Sequence, residues 1–146
     1  MSPQVFHLPD LGEGLTEAAL VRWGEAFGRA LGVPAFVTLS GDLGAGKTTL
    51  VRAIARASGA TQAVTSPSYG LVSEYPSPRG PVIHVDLYRL RGPAELPQIG
   101  WDDILRAPAT VLVEWPDRAE GFLPAERVAL RLEHVEGQPG IRRLTW

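Results

Sequence analysis

Gly41-Asp42-Leu43-Gly44-Ala45-Gly46-Lys47-Thr48 satisfies the pattern G-x-x-x-x-G-K-[ST] at every constrained position. In that pattern the glycines let the backbone bend around phosphate oxygens, the lysine meets the β and γ phosphates, and the hydroxyl ligates Mg²⁺. A sequence of this composition matches it by chance about once per thousand. The flanks agree. Ala35-Phe36-Val37-Thr38-Leu39 is a short β-prone run that reads as a buried strand entering the loop. After the loop, Leu50, Val51 and Ile54 share one helical face, Arg52 and Arg56 lie opposite, and Gly59 marks the stop. A strand, a glycine-rich loop and a helix N-terminus in succession make an anion site, and the fold expected around it is a P-loop NTPase fold.

The nucleotide cradle expected from this motif comprises Gly41, Asp42, Leu43, Gly44, Ala45, Gly46, Lys47, Thr48 and Thr49. Magnesium held by Thr48 needs a carboxylate at the end of a neighbouring strand. Two apolar runs end in one. Pro81-Val82-Ile83-His84-Val85 leads into Asp86, and Thr110-Val111-Leu112-Val113 leads into Glu114. Bodies that are apolar almost throughout suit strands buried on both faces, and an acid at the C-terminal end of such a strand sits where open α/β sheets bind ligands. Lys47, Asp86 and Glu114 are thus the expected catalytic residues, and Thr48, Asp86 and Glu114 the expected metal site. Glu114 is either a second metal ligand or the group that orients the attacking water. His84 shares a strand face with Asp86 by alternation, and such a histidine is more often a satisfied core group than a catalyst.

Elsewhere, Thr16 can cap a helix running to about Leu31, with Leu20, Trp23, Phe27 and Leu31 facing the core. Gly24 and Gly28 each weaken it by about 1 kcal/mol relative to alanine, and either close packing or compositional bias accounts for their presence. Gly70 to Tyr75 reads as a strand. The six residues Pro76-Ser77-Pro78-Arg79-Gly80-Pro81 that follow cannot hold a crossover helix, so this strand is antiparallel to the Asp86 strand. Arg91 to Arg106, interrupted by Pro93, Pro97 and Gly100, predicts short helices in a surface region. Arg127 to Glu133 and Ile141 to Trp146 alternate around a Gly-Pro turn and predict a hairpin with one solvated face. The expectation is one α/β domain spanning 1–146, with a mixed parallel and antiparallel central sheet flanked by helices.

Composition narrows the function. The chain is 45% apolar and 21% charged, enough for one core, and its 14 basic and 16 acidic residues leave a net charge of -2. No positive field is available to hold a nucleic-acid backbone. The absence of cysteine excludes disulfides, thiolate metal sites and thiol catalysis. No membrane span or signal segment is visible, and a soluble cytoplasmic protein is expected. Thirteen of the basic residues are arginine, so Lys47 is the one lysine, at a position where a planar guanidinium cannot replace a compact ammonium. The chain also lacks asparagine. A GTPase reads guanine with an Asn-Lys-x-Asp motif, so a GTPase is excluded and ATP favoured. A small-molecule kinase remains the alternative, with the Arg91 to Arg106 region as its one lid candidate.

Nearly the whole chain resembles the TsaE (YjeE) family, the ATPase component of the bacterial tRNA threonylcarbamoyladenosine machinery. The likeness runs through Leu8-Pro9-Asp10, GDLGAGKTTL at Gly41 to Leu50, Ser66-Pro67-Ser68-Tyr69 followed by Leu71-Val72, His84-Val85-Asp86-Leu87-Tyr88-Arg89-Leu90, and Glu114-Trp115. The resemblance implies slow Mg²⁺-dependent ATP hydrolysis that becomes meaningful with TsaD and TsaB, with tRNA engaged through those partners. It implies Lys47 on phosphate, Thr48 on Mg²⁺, Asp86 and Glu114 at the metal and γ-phosphate, and Trp115 at the edge of the site. Ser68 stands where the family usually has threonine, keeping the hydroxyl of a switch candidate and losing the methyl that stiffens it. Arg89 is either an ion-pair support for the Asp86 loop or a source of transition-state charge. Arg142 or Arg143 is implied near the nucleotide.

Overall fold

The computed structural model describes residues 14–62 and 71–146. The Leu8-Pro9-Asp10 element and the Ser66 to Tyr69 segment, with its switch candidate Ser68, lie outside the described residues. Among the described residues six strands form one sheet in the order β2-β3-β4-β1-β5-β6. These are β1 Ala35–Gly41, β2 Val72–Tyr75, β3 Val82–Asp86, β4 Thr110–Glu114, β5 Val128–His134 and β6 Arg142–Thr145. β3, β4, β1 and β5 run parallel, whereas β2 pairs antiparallel with β3 and β6 with β5. The mixed sheet follows from chain connectivity: the short β2–β3 and β5–β6 connections at the two edges force hairpins, whereas the remaining strands are joined by longer excursions.

Register explains why both faces are dry. Val82 pairs with Thr110 and His84 with Leu112 across β3 and β4, and Val37 pairs with Leu112 across β4 and β1. Partners in a ladder share a face and alternate residues switch it. Accordingly Val37, Leu39, Val82, Leu112, Leu130 and Leu132 pack with Leu20, Trp23, Phe27, Leu50 and Ile54 in one core. Ile83, Val85, Val111 and Val113 pack on the opposite face with Leu96, Trp101 and Ile104. The first core lies under α1 (Glu17–Ala30) and α2 (Lys47–Ala57). The second is covered by a 3₁₀ segment over Pro93–Ile99 and by α3 (Trp101–Arg106). Burial of Leu96, Trp101 and Ile104 therefore corrects the expectation of a surface region between Arg91 and Arg106.

Thr16 caps α1 as its residue type predicts, accepting a hydrogen bond from the Ala19 N–H at 3.2 Å. The two helical glycines have a packing reason. A Cβ on Gly24 would stand 2.9 Å from Ala53 Cβ and Leu50 Cδ1, and one on Gly28 would stand 2.5 Å from the Ile54 carbonyl oxygen. These glycines let α1 and α2 approach closely over the sheet face that carries the loop.

Candidate active site

The loop after β1 turns back on itself and delivers Lys47 as the first residue of α2. Two glycines make that turn possible. Gly41 has φ +138°, and a Cβ there would collide with the Leu132 carbonyl oxygen. Gly46, the N-cap of α2, has φ +103° and no side-chain cap. No acid stands in the first turn of α2, and Lys47 is there instead. Positive charge at the positive end of a helix dipole lowers stability, and a capping side chain would have satisfied orphan N–H groups. The local sequence forgoes both gains and leaves an N-terminus open to an anion.

Lys47 is buried, and its ammonium donates to the Gly41 carbonyl at 2.5 Å and to the Asp42 carbonyl at 2.8 Å. Its Nζ also lies 4.4 Å from the centre of the Trp115 ring. Burial lowers its pKa from the usual lysine range, a loss of hydration only partly offset by Glu114, Asp42 and Asp86. Trp115 itself has φ +58°, a left-handed conformation rare for a bulky residue, and its ring packs against Tyr88 at 5.1 Å between centroids.

Asp86 and Glu114 are partners in the β3–β4 ladder, and Glu114 is also the partner of Leu39 on β1. Both carboxylates therefore leave the sheet on the α1–α2 face, at the edge where the loop begins. Glu114 is buried and sends Oε1 to within 3.4 Å of Thr48 Oγ1, while Oε2 meets His84 Nε2 at 2.6 Å. Asp86 accepts the Tyr88 N–H at 3.0 Å. Burial raises the Asp86 pKa and Glu114 adds to the rise, against the hydrogen bond from Tyr88 and the charges of His84 and Lys47.

These groups line a cleft of about 410 Å³. Leu43, Gly44, Gly46, Lys47, Thr48 and Thr49 form one wall, and Asp86, Glu114, Tyr88 and Trp115 form another. Gly41, Asp42 and Ala45 shape the loop from behind: the first two give their carbonyls to Lys47, and Ala45 is wholly buried. Among the described residues no group of three or more His, Asp or Glu side chains forms a metal cage. One hydroxyl and two carboxylates suit Mg²⁺, which is held by one or two carboxylates together with substrate phosphates. A bare helix N-terminus and a lysine beside that set fit a nucleotide triphosphate.

The family profile described as "Threonylcarbamoyl adenosine biosynthesis protein TsaE" matches residues 15–143. The chain belongs to the TsaE family. A TsaE protein of Haemophilus influenzae, named for tRNA threonylcarbamoyladenosine biosynthesis, is 35% identical over 125 residues, covering 82% of this chain and 79% of its own. The TsaE of Rickettsia bellii is 30% identical over 131 residues, 89% of this chain and 90% of its own. That of Bacillus subtilis is 38% identical over 99 residues, 68% of this chain and 61% of its own. The crystal structure of Bacillus subtilis YdiB matches with a TM-score of 0.69 at 27% identity, over 89% of this chain and 78% of that one.

In this TsaE chain the structure brings Lys47, Thr48, Asp86, Glu114 and Trp115 to one cleft. Arg89 lies on the exposed turn after β3 and is not among the cleft-lining residues. Of the two C-terminal arginines, Arg142 lines the cleft beside Gly46, while Arg143 is exposed. Three lining residues escaped the sequence reading: Glu17, Leu20 and Tyr88. Leu20 reads as a core residue, and Glu17 stands in the first turn of α1, where an acid suits the helix dipole. Tyr88 carried a signal in its place two residues after Asp86.

Proposed function

We propose that this TsaE chain is a Mg²⁺-dependent ATPase that acts with TsaD and TsaB in cytoplasmic tRNA threonylcarbamoyladenosine biosynthesis. The observation that carries the reading is the meeting of Lys47 and Thr48 with Asp86 and Glu114 in one cleft. The names of the relatives support the pathway, and the missing Asn-Lys-x-Asp motif favours ATP over GTP.

The open N-terminus of α2 supplies N–H donors and a dipole to the phosphates, and Lys47 supplies the compact charge. Thr48 and Asp86 would hold the metal, with Glu114 as a second carboxylate ligand or as the group that orients the attacking water. Mg²⁺, when bound there, would supply neutralisation of phosphate charge. Trp115 and Tyr88 form an aromatic wall, with Trp115 against the Lys47 ammonium. Partners would read the site through segments that differ between nucleotide states. The near-neutral charge fits a division of labour in which TsaD and TsaB hold the tRNA.

The kinase reading loses its lid: Pro93–Arg106 packs Leu96, Trp101 and Ile104 into the core on the far face of the sheet. Among the described residues no helix is long and apolar enough to cross a membrane. The deciding experiment measures ATP consumption by the purified chain alone, with TsaD and TsaB together, and with a metabolite panel. Acceleration by the two partners is expected. Phosphorylation of a metabolite, or no acceleration, would overturn the reading.

A further inference from the structure

His84 is fully buried two residues before Asp86 on β3, on the same sheet face as Asp86 and Glu114. Its Nε2 lies 2.6 Å from Glu114 Oε2, and among the described residues its Nδ1 has no hydrogen-bond partner. An imidazole buried with one nitrogen unpaired is a poor core residue, since an apolar side chain of similar volume avoids the desolvation cost. Among the described residues its side chain makes one polar contact, and that contact is the informative one. An ionised carboxylate only accepts, so with Glu114 ionised the hydrogen of the pair belongs on Nε2 and points at Oε2.

Glu114 is the neighbour this contact constrains. It is buried, and its remaining oxygen, Oε1, lies 3.4 Å from Thr48 Oγ1 in the cleft. Without a fixed donor on Oε2, the carboxyl group is free to rotate about its last torsion, and either oxygen can face the cleft. With Nε2–H on Oε2, one oxygen is committed to the strand and the other to the site. The other charged groups lining the cleft are Lys47 on α2, Asp86 on β3, Glu17 on α1 and Arg142 on β6, and among the described residues none of them bonds Oε2.

We propose that His84 is a positioning residue: it holds Glu114 Oε2 by an Nε2–H bond, so that Glu114 faces Thr48 and the nucleotide site through Oε1 alone. The inference deepens the ATPase reading and rests on it for its effect on turnover. It makes Glu114 a one-oxygen participant. It also explains why a histidine stands where the flanking strand residues Val82, Ile83 and Val85 are aliphatic.

Two measurements test it. The first uses the full chain with TsaD and TsaB, reading ATP turnover and ATP affinity separately for wild type, His84→Leu, His84→Gln, Glu114→Gln and the His84→Leu/Glu114→Gln pair. His84→Leu is expected to lower kcat by about 10–100-fold, as loss of a partner that orients a ligand does. ATP affinity should change far less, and His84→Gln, which keeps a donor, should recover much of the loss. In the Glu114→Gln background His84→Leu should add little. Equal losses in both backgrounds, or loss of affinity without loss of kcat, would overturn the proposal.

The second measurement needs no turnover. Two-dimensional ¹⁵N spectra of the free chain should show His84 protonated on Nε2, with its ring nitrogens shifted by Glu114→Gln. An Nδ1–H tautomer, or no response to Glu114→Gln, would overturn the proposal even if ATP is consumed. If wild type with both partners consumes no ATP, the ATPase reading fails while the spectra still decide the positioning. Should His84→Leu fail to fold, His84→Gln and the spectra give the answer.

Discussion

Asp86 stands directly opposite Glu114 in the parallel ladder of β3 and β4, so two carboxylates share one end of one sheet face. The arrangement opposes stability. Burial raises the Asp86 pKa, Glu114 raises it further, and the compensating groups are a backbone N–H and the charges of His84 and Lys47. A folded-state carboxyl with a raised pKa favours the folded state at acid pH and loses that contribution as pH rises through the raised value. Asp86→Asn keeps an acceptor for the Tyr88 N–H and removes the charge. In a chelator and without nucleotide, it should raise the melting temperature near pH 7.5 by about 2 °C or more. The gain should vanish below about pH 4, where aspartate is protonated anyway. Calorimetric scans across pH check this, and a gain that grows towards acid would refute it.

Glu114 should separate chemistry from binding. Glu114→Ala is expected to cut turnover by roughly 100-fold or more, the scale of losing a group that positions a proton or a water. ATP affinity should suffer much less, because the loop and Lys47 supply the phosphate contacts. Single-turnover hydrolysis beside calorimetric binding distinguishes the two effects. Full modification activity in Glu114→Ala would remove the residue from the site.

Lys47 differs, since its ammonium is already housed among loop carbonyls at 2.5 and 2.8 Å. Lys47→Ala should weaken ATP binding by about 100-fold or more, and Lys47→Arg should not restore it, because a planar fork does not fit a site built for a point charge. An ATP titration followed by tryptophan fluorescence reads this directly, with Trp115 lying against the Lys47 ammonium. Tight binding by Lys47→Arg would contradict the geometry.

The glycines of α1 predict the opposite of helix propensity. Replacing Gly28 by alanine gains about 1 kcal/mol of intrinsic propensity. The new Cβ, however, would meet the Ile54 carbonyl oxygen at 2.5 Å, a backbone atom that cannot swing aside. Gly28→Ala should destabilise the protein by about 1–3 kcal/mol, the range for overpacking, as read by urea denaturation. A more stable variant would show that α1 and α2 separate easily.

Much of this was visible in the sequence because each signal was local. The apolar runs ending in Asp86 and Glu114 needed only their own residues to read as buried strands. The glycine-rich loop carried its chemistry in eight positions, and the six-residue link between Tyr75 and Val82 dictated an antiparallel pair. What stayed hidden depended on register between distant segments. Alternation put His84 on the Asp86 side of β3, but only the pairing of β3 with β4 brings it to Glu114, 30 positions away. Between Arg91 and Arg106, Pro97 and Gly100 interrupt the periodicity that would have shown Leu96, Trp101 and Ile104 to be core. Glu17 lines the cleft because α1 packs beside the loop, a tertiary fact with no local mark.

The two C-terminal arginines make the same point in testable form. Adjacent residues on a strand face opposite ways, so at most one of Arg142 and Arg143 serves the cleft. Register decides between them. Arg142 pairs its backbone with Leu15 through hydrogen bonds of 2.6 and 2.8 Å, and its side chain passes beside Gly46 to line the cleft. Arg143 pairs with Glu133 in the β5–β6 ladder and is exposed. Arg142→Ala should therefore weaken ATP binding by about tenfold, the scale of one charge-assisted contact, whereas Arg143→Ala should leave it within about twofold. Parallel titrations of both variants decide the matter. Equal losses would mean that the arginines act through net charge at this edge of the sheet, and a larger loss at Arg143 would place the nucleotide on the other side of β6.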